Sequence, residues 1–326
     1  MKRTIVQFTA FLFLLAITYK SIYNPFAEAY IEALKSDVQL VSAQHDALYQ
    51  KIEEKAKDYE KPAANARIDP VWKRVPGYNG IKVDLAASYK NMKPAGKFDE
   101  KKLVYKQVRP KVHLKDLPQE PIYRGHDEKP MVSFTVNVAW GNEYLPKMLE
   151  VLKKHHAKAT FFLEGKWVKN NPDMAKMIVD AGHEVGNHSY SHPDMATLSP
   201  SQINQQLKKT NDIITSTTGQ KVKWFAPPSG SFRPEVVTLA SQLKMSTIMW
   251  TVDTIDWQKP SSEVLINRVM KKIHPGAIVL MHPTESTAES LDQLLTDIER
   301  KGLKVSDVST MLDEERMMKI PSSTKK

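Results

Sequence analysis

The chain has no cysteine. That excludes disulfides, thiol chemistry and thiolate-ligated zinc, although it does not by itself fix the compartment. A full-length membrane span is also lacking at the N-terminus: the apolar run over residues 5–17 is shorter than the roughly 20 residues that cross a bilayer. Lys2 and Arg3 precede that run, so it reads as an export signal, either removed or retained as an anchor. No small-x-small cleavage site follows directly, and Ala27 and Ala29 offer only a late, poor one. No aromatic-interleaved basic patch accompanies the formal net charge of +10, whose lysines are scattered. Nucleic-acid binding is therefore not expected. The charge describes a solvated basic surface that favours anionic polymers, which outside a cell are wall phosphates and lipid headgroups.

What is present fits one large domain with something smaller beside it. The chain has 326 residues, 41% hydrophobic and 26% charged, ordinary values for a globular protein. Residues 1–26 form the export or anchor segment. Residues 27–62 are rich in Ala, Glu and Lys, with no Gly or Pro between Ala27 and Glu60, and Ile31, Leu34, Val38, Val41, Leu48 and Ile52 recur at helical spacing. They predict a helical stalk that ends at Lys61-Pro62. Residues 63–127 predict a small α+β module and a proline-bearing linker. The turn signal VPGYNG lies at 75–80, with short strands at Lys82-Val83-Asp84 and Leu103-Val104-Tyr105. This segment resembles the small PGxNG modules of some wall-associated bacterial proteins. Residues 317–326 are a basic tail.

From residue 128 strand and helix signals alternate. Strands are predicted at 131–138, 159–165, 183–188, 222–228, 247–253 and 277–282. Helices are predicted at 144–156, from 165 to 181, and at 199–217, 234–243, 261–272 and 286–300. In the 144–156 helix, Leu145, Met148, Leu149 and Leu152 share a face. Alternation of this kind implies a parallel sheet and, with six or more units, an α/β barrel whose chemistry belongs at the C-terminal strand ends. Asn137, Glu164, His188, His192, Asp253, Asp256 and His282 collect there. His188 and His192 are four apart, about one helical turn, so both imidazoles can face one point. A pair of this kind suits a divalent metal such as zinc, which normally takes a third protein ligand and keeps a position open for water.

Over about 128–316 the sequence resembles the NodB-homology polysaccharide deacetylases, carbohydrate esterase family four. The resemblance implies a distorted (β/α) barrel that removes acetyl from N-acetylated sugars of peptidoglycan or chitin by attack of a metal-bound water. His188-Ser189-Tyr190-Ser191-His192 matches the second motif, which implies that both histidines are metal ligands. Asp253-Thr254-Ile255-Asp256-Trp257 matches the fourth. It implies that Asp256 orients the catalytic histidine and that Trp257 walls the substrate pocket. Leu280-Met281-His282 matches the fifth, making His282 the general acid with Leu280 at the substrate.

The first and third motifs fail. Where the family has Thr-Phe-Asp-Asp-Gly-Pro, this chain has Thr135-Val136-Asn137-Val138-Ala139-Trp140, and Glu143-Tyr144-Leu145-Pro146-Lys147 keeps the register behind it. Asn137 thus stands at the general base and Val138 at the metal carboxylate. Ala226 of Ala226-Pro227-Pro228-Ser229 stands at the arginine that pairs with the base. An amide cannot act as a base, and a lost base typically costs about 10²–10⁴ in rate. Zinc would rest on two neutral imidazoles. Losing the base and its arginine together avoids leaving one buried charge unpaired, which commonly costs about 3–5 kcal/mol. Glu164, His183, Glu184 and Asp194 are the candidate substitute ligands, Glu143 standing too far along. Trp140, Trp224, Trp250 and Trp257 either line a sugar cleft or fill the barrel. Two functions follow: an exported deacetylase of wall or chitin-like glycan with a weakened site, or an inactive homologue that binds glycan or a wall-synthesis partner through the old cleft.

Overall fold

The computed structural model describes residues 11–13 and 46–317. The rest of the expected export segment, most of the expected stalk and nearly all of the expected tail lie outside the described residues. Among the described residues no helix is long and apolar enough to cross a membrane. They fall into two compact units, the described parts of Met1–Lys61 with Ile81–Lys106, and of Pro62–Gly80 with Gln107–Lys326. This division differs from sequence boundaries at 62 and 127.

In the smaller unit the helix Ala47–Ala56 starts at Asp46, whose carboxylate accepts from Leu48 N–H at 2.8 Å and from the Tyr89 hydroxyl at 2.7 Å. Its apolar face, with Leu48, Tyr49, Ile52 and Ala56, packs on Val83, Tyr89, Met92 and Leu103. The end of the expected stalk is therefore a core helix. A helix this short is marginal alone, and its stability comes from burying that stripe. The helix Leu85–Met92 supplies part of the opposing face.

In the larger unit, β1 (Arg67–Asp69) and β2 (Lys73–Val75) form an antiparallel hairpin. The VPGYNG turn belongs here. Tyr78 is buried, bonded to Ala64 through both backbone groups, stacked on His126 at 5.0 Å and covered by the Arg316 guanidinium at 4.0 Å. The strands β3 (Gly80–Val83) and β4 (Tyr105–Val108) pair as a separate two-stranded sheet.

The main sheet has eight strands. They are β5 (Met131–Val138), β6 (Thr160–Leu163), β7 (Glu184–Asn187), β8 (Trp224–Phe225), β9 (Ser246–Thr247), β10 (Val252–Asp253), β11 (Ile278–Met281) and β12 (Lys304–Ser306). All pairings are parallel, in the order β10-β11-β5-β6-β7-β8-β9, with β12 also on β5. With helices between the strands, this is the curled parallel sheet of a (β/α) barrel. All eight residues of β5 are buried, as both faces of a central parallel strand require. Val132, Phe134, Val136 and Val138 join the core under the helices, where Leu145, Met148, Leu149 and Leu152 also sit.

Two expected elements are divided, and β12 is a strand beyond those expected. The helix expected over 165–181 is two, Gly165–Asn170 and Pro172–Asp180, because Pro172 cannot donate into the preceding turn. The strand expected at 247–253 is split, with β9 and β10 at opposite ends of the sheet path. Residues 248–251 bridge the gap: Ile248 N–H donates to Phe225 at 2.8 Å and Thr251 N–H to Ile278 at 3.1 Å.

Candidate active site

Parallel register brings the polar positions to one rim. Asn137 and Val138 end β5 beside Phe162 and Leu163. Asn187 ends β7 and leads into His188, Ala226 follows β8, Asp253 ends β10 beside Leu280, and His282 follows β11.

His188 and His192 come together, but on a loop rather than a helical turn. Ser189 and His192 have φ of 62° and 56°. Asn187 fixes this conformation: its side-chain oxygen accepts from Ser189 N–H, and its amide donates to Leu207 O and Asn211 Oδ1, each at 2.8 Å. The imidazole centroids lie 5.1 Å apart. His188 Nδ1 donates to the Ala226 carbonyl at 2.8 Å, which leaves the Nε2 lone pair free. Burial, reinforced by neighbouring His192, pushes the His188 pKa down to about 3. His192 is also lowered, by burial first. Both rings are neutral near pH 7.

Among the described residues no carboxylate stands in for the lost ligand in this half of the site. Val138 is fully buried in the core, and Ala226 is buried. Asn137 is buried too, its Oδ1 without a hydrogen-bond partner. Glu164 begins the helix after β6, and burial raises its pKa. Glu184 lies at the opposite end of β7, engaged by Thr160, Trp224 and Ser309. Asp194 caps a surface turn and meets Ser231. His183 precedes β7, accepts from Ala159 N–H at 3.3 Å and packs on Phe161. Among the described residues no group of three or more His, Asp or Glu comes close enough to hold a metal. Two neutral nitrogens and an orphaned amide oxygen do not make the donor set of a hydrolytic divalent ion.

The other half is complete. Asp256 is fully buried and accepts from His282 Nδ1 at 2.8 Å, from His282 N–H at 2.6 Å and from Thr287 Oγ1 at 2.6 Å. This leaves His282 Nε2 to face a ligand. Ile255, just before Asp256, has φ 51°, a costly conformation for a β-branched residue. Asp253 accepts from Ile255 N–H at 2.8 Å and so caps the strand end. The Trp140 ring lies parallel to the His282 imidazole, 9° between planes and 5.9 Å between centroids. Gly141 allows this: its φ is 81°, and a Cβ there would meet the Pro283 carbonyl at 2.0 Å. Trp257 is 57% exposed and Trp140 47%, whereas Leu280 is buried within β11.

His183 gives a pH prediction. Burial holds its pKa at about 4, below the 6.5 of an unfolded chain. The unfolded state then binds more protons between those values, so stability is full above about pH 6.5 and falls as pH drops towards 4. The loss is on the order of 3 kcal/mol. His183→Gln is expected to make the Tm profile shallower over this window, the buried His188 with its pKa of about 3 supplying slope that remains. An unchanged slope would show that other groups carry it.

The family model for polysaccharide deacetylase matches residues 124–248. Peptidoglycan-N-acetylmuramic acid deacetylase PdaA of Bacillus subtilis is 33% identical over 62% of this chain and 79% of that protein. The chain belongs to the polysaccharide deacetylase family. Bacillus subtilis YlxY is 56% identical over 98% of this chain and all of that protein. A wild-type carbohydrate esterase family four pseudoenzyme from Bacillus anthracis is 61% identical over 83% of this chain and 97% of that one, with TM-score 0.79. A variant of that pseudoenzyme with restored enzymatic activity is 60% identical over 82% and 99%, with TM-score 0.78.

Against the deacetylase pattern, the structure adds Thr287 to the residues that sequence motifs indicate, and it places Trp140, one of the candidate cleft tryptophans, against His282. Thr287 is a third donor to Asp256. Its signal is faint, because it lies 31 residues from Asp256, in the helix Glu285–Arg300 beyond β11. Trp140 stands where the family motif has proline, and that departure is itself the signal. Trp224 is not at this rim: it begins β8, with Nε1 donating to Glu184 at 2.8 Å.

Proposed function

We propose that this protein is an exported, catalytically silent member of the deacetylase family that holds N-acetylated wall glycan in the inherited cleft. The observation that carries the reading is the asymmetry of the rim. Val138 is sealed in the core where a ligand is needed, while Asp256, His282 and Thr287 keep a full hydrogen-bond set beside two exposed tryptophans. The first removes hydrolysis; the second leaves a polar group and aromatic faces that suit a pyranose. Similarity to a pseudoenzyme supports silence, and similarity to a peptidoglycan deacetylase supports the glycan. The basic-then-apolar N-terminus supports export, to the outer face of the membrane or the wall.

The test uses the full chain, with N-acetylated peptidoglycan and chitooligosaccharide as ligands. Saturable binding without acetate release is expected. Trp257→Ala should weaken binding about tenfold, the scale of one aromatic anchor. Unchanged binding in that variant would remove the cleft as the glycan site. Acetate release lost in His188→Ala would sink the silent reading.

A further inference from the structure

At the start of β8 and β9, the end of the sheet away from the His188–His282 rim, lies a cavity of about 360 Å³. Arg74, Lys115, Gln119, Lys244, Trp224 and Ser246 are among its lining residues. Arg74, in β2, is 3% exposed. Its guanidinium meets only neutral acceptors among the described residues: Leu114 O at 2.6 Å, Gln119 Oε1 at 3.2 Å and Ser246 Oγ at 3.4 Å. Its Nε is buried with no partner. Arg67, Arg124, Arg233, Arg300 and Arg316 each meet a carboxylate. Arg74 does not; among the described residues the half-buried Arg268, bonded to the Thr254 carbonyl, and the exposed Arg109 also lack one, so burial to 3% is what sets Arg74 apart.

A structural role explains part of this, since the three neutral bonds pin β2 to the 114–119 segment and to β9. It does not explain a buried cation without an anion beneath a cavity that two exposed lysines also line. Buried charges are normally paired, because removal from water costs more than neutral hydrogen bonds return. A guanidinium presents a fork that matches two oxygens of an oxyanion, and lysines add point charge. Three cations with the Ser241 and Ser246 hydroxyls nearby match a phosphate better than a singly charged carboxylate.

We propose that this cavity binds a phosphate ester, with Arg74 as the buried fork and Lys115 and Lys244 closing on the remaining charge. The site is separate from the deacetylase cleft and independent of its activity. The same chemistry occurs in a free sugar or glycerol phosphate and in a phosphodiester wall polymer.

The experiment titrates the full chain with inorganic phosphate, glycerol phosphate and a poly(glycerol phosphate), followed by calorimetry and ³¹P line broadening, with acetate as control. Saturable phosphate binding is expected, with acetate at least tenfold weaker. Lys115→Gln with Lys244→Gln should weaken it about fivefold to tenfold, leaving glycan binding unchanged. Arg74→Gln should abolish it; if that variant fails to fold, the lysine pair still decides. Tighter binding of the polymer per phosphate assigns the site to wall polymer, and weaker binding assigns it to the free ester. Absence of saturable phosphate binding, equal binding of acetate, or binding unmoved in the lysine variant would overturn the proposal.

Discussion

Asn137→Asp combined with Val138→Asp and Ala226→Arg is expected to raise zinc-dependent acetate release from chitooligosaccharide by at least about 10²-fold, the lower end of what one general base contributes. Each change restores a separate requirement. A carboxylate at 138 supplies the anionic ligand beside the neutral imidazoles of His188 and His192. One at 137 can take a proton, which the present amide cannot. Arginine at 226 pairs with the new base. The single change Val138→Asp isolates the first requirement. It places a charge at a fully buried position, so it should lower Tm without metal and recover it with zinc. Acetate release and Tm with and without zinc measure both parts. A triple variant that binds zinc yet stays silent would place a further block in the cleft, and Trp140, parallel over His282, is the first residue to change.

Asp256→Ala is expected to destabilise the protein by about 3–5 kcal/mol, a Tm loss of roughly 10 °C. Three donors, His282 Nδ1, His282 N–H and Thr287 Oγ1, lose a common buried acceptor. Each orphaned buried donor costs about 1–3 kcal/mol. Asp256→Asn keeps one acceptor oxygen and should lose less. The exposed pair Lys154–Asp292 provides the contrast, since solvent screens it and its removal should leave Tm nearly unchanged. Calorimetry separates these outcomes. A Tm change of only a degree or two for Asp256→Ala would mean that the pair is kept for ligand contact alone. The expected large loss explains why a site without its base still retains its acid partner: Asp256 carries part of the fold.

The legible parts of the sequence were those that sterics and burial dictate locally. The run 131–138 reads as a strand because Val132, Phe134, Val136 and Val138 alternate with Ser133, Thr135 and Asn137, and the structure buries both faces as a central parallel strand requires. The places of Asn137 and Val138 followed from the ungapped match at Glu143–Lys147, and the structure puts both at the end of β5. Other features depend on distant partners. The apolar segment 247–253 contains no breaker, yet it serves both ends of the sheet, which only barrel curvature decides. The loop geometry of His188 and His192 rests on positive φ at Ser189 and His192, held by Asn187 and carrying no glycine signal. Trp224 offers the same aromatic ring as Trp257, but the strand end that carries it faces away from the rim. The break at Pro172 was readable, since proline marked it.

The split of 247–253 has a consequence for how this scaffold can vary. Its seam is closed by an uninterrupted stretch of backbone, 248–251, rather than by a ladder between β9 and β10. Circumference there is set by chain length, and one inserted residue adds up to about 3.5 Å of slack. An insertion or deletion in this stretch can loosen or tighten the mouth of the barrel while every named strand keeps its neighbour, so small indels there are a route to groove widths that point substitutions cannot reach.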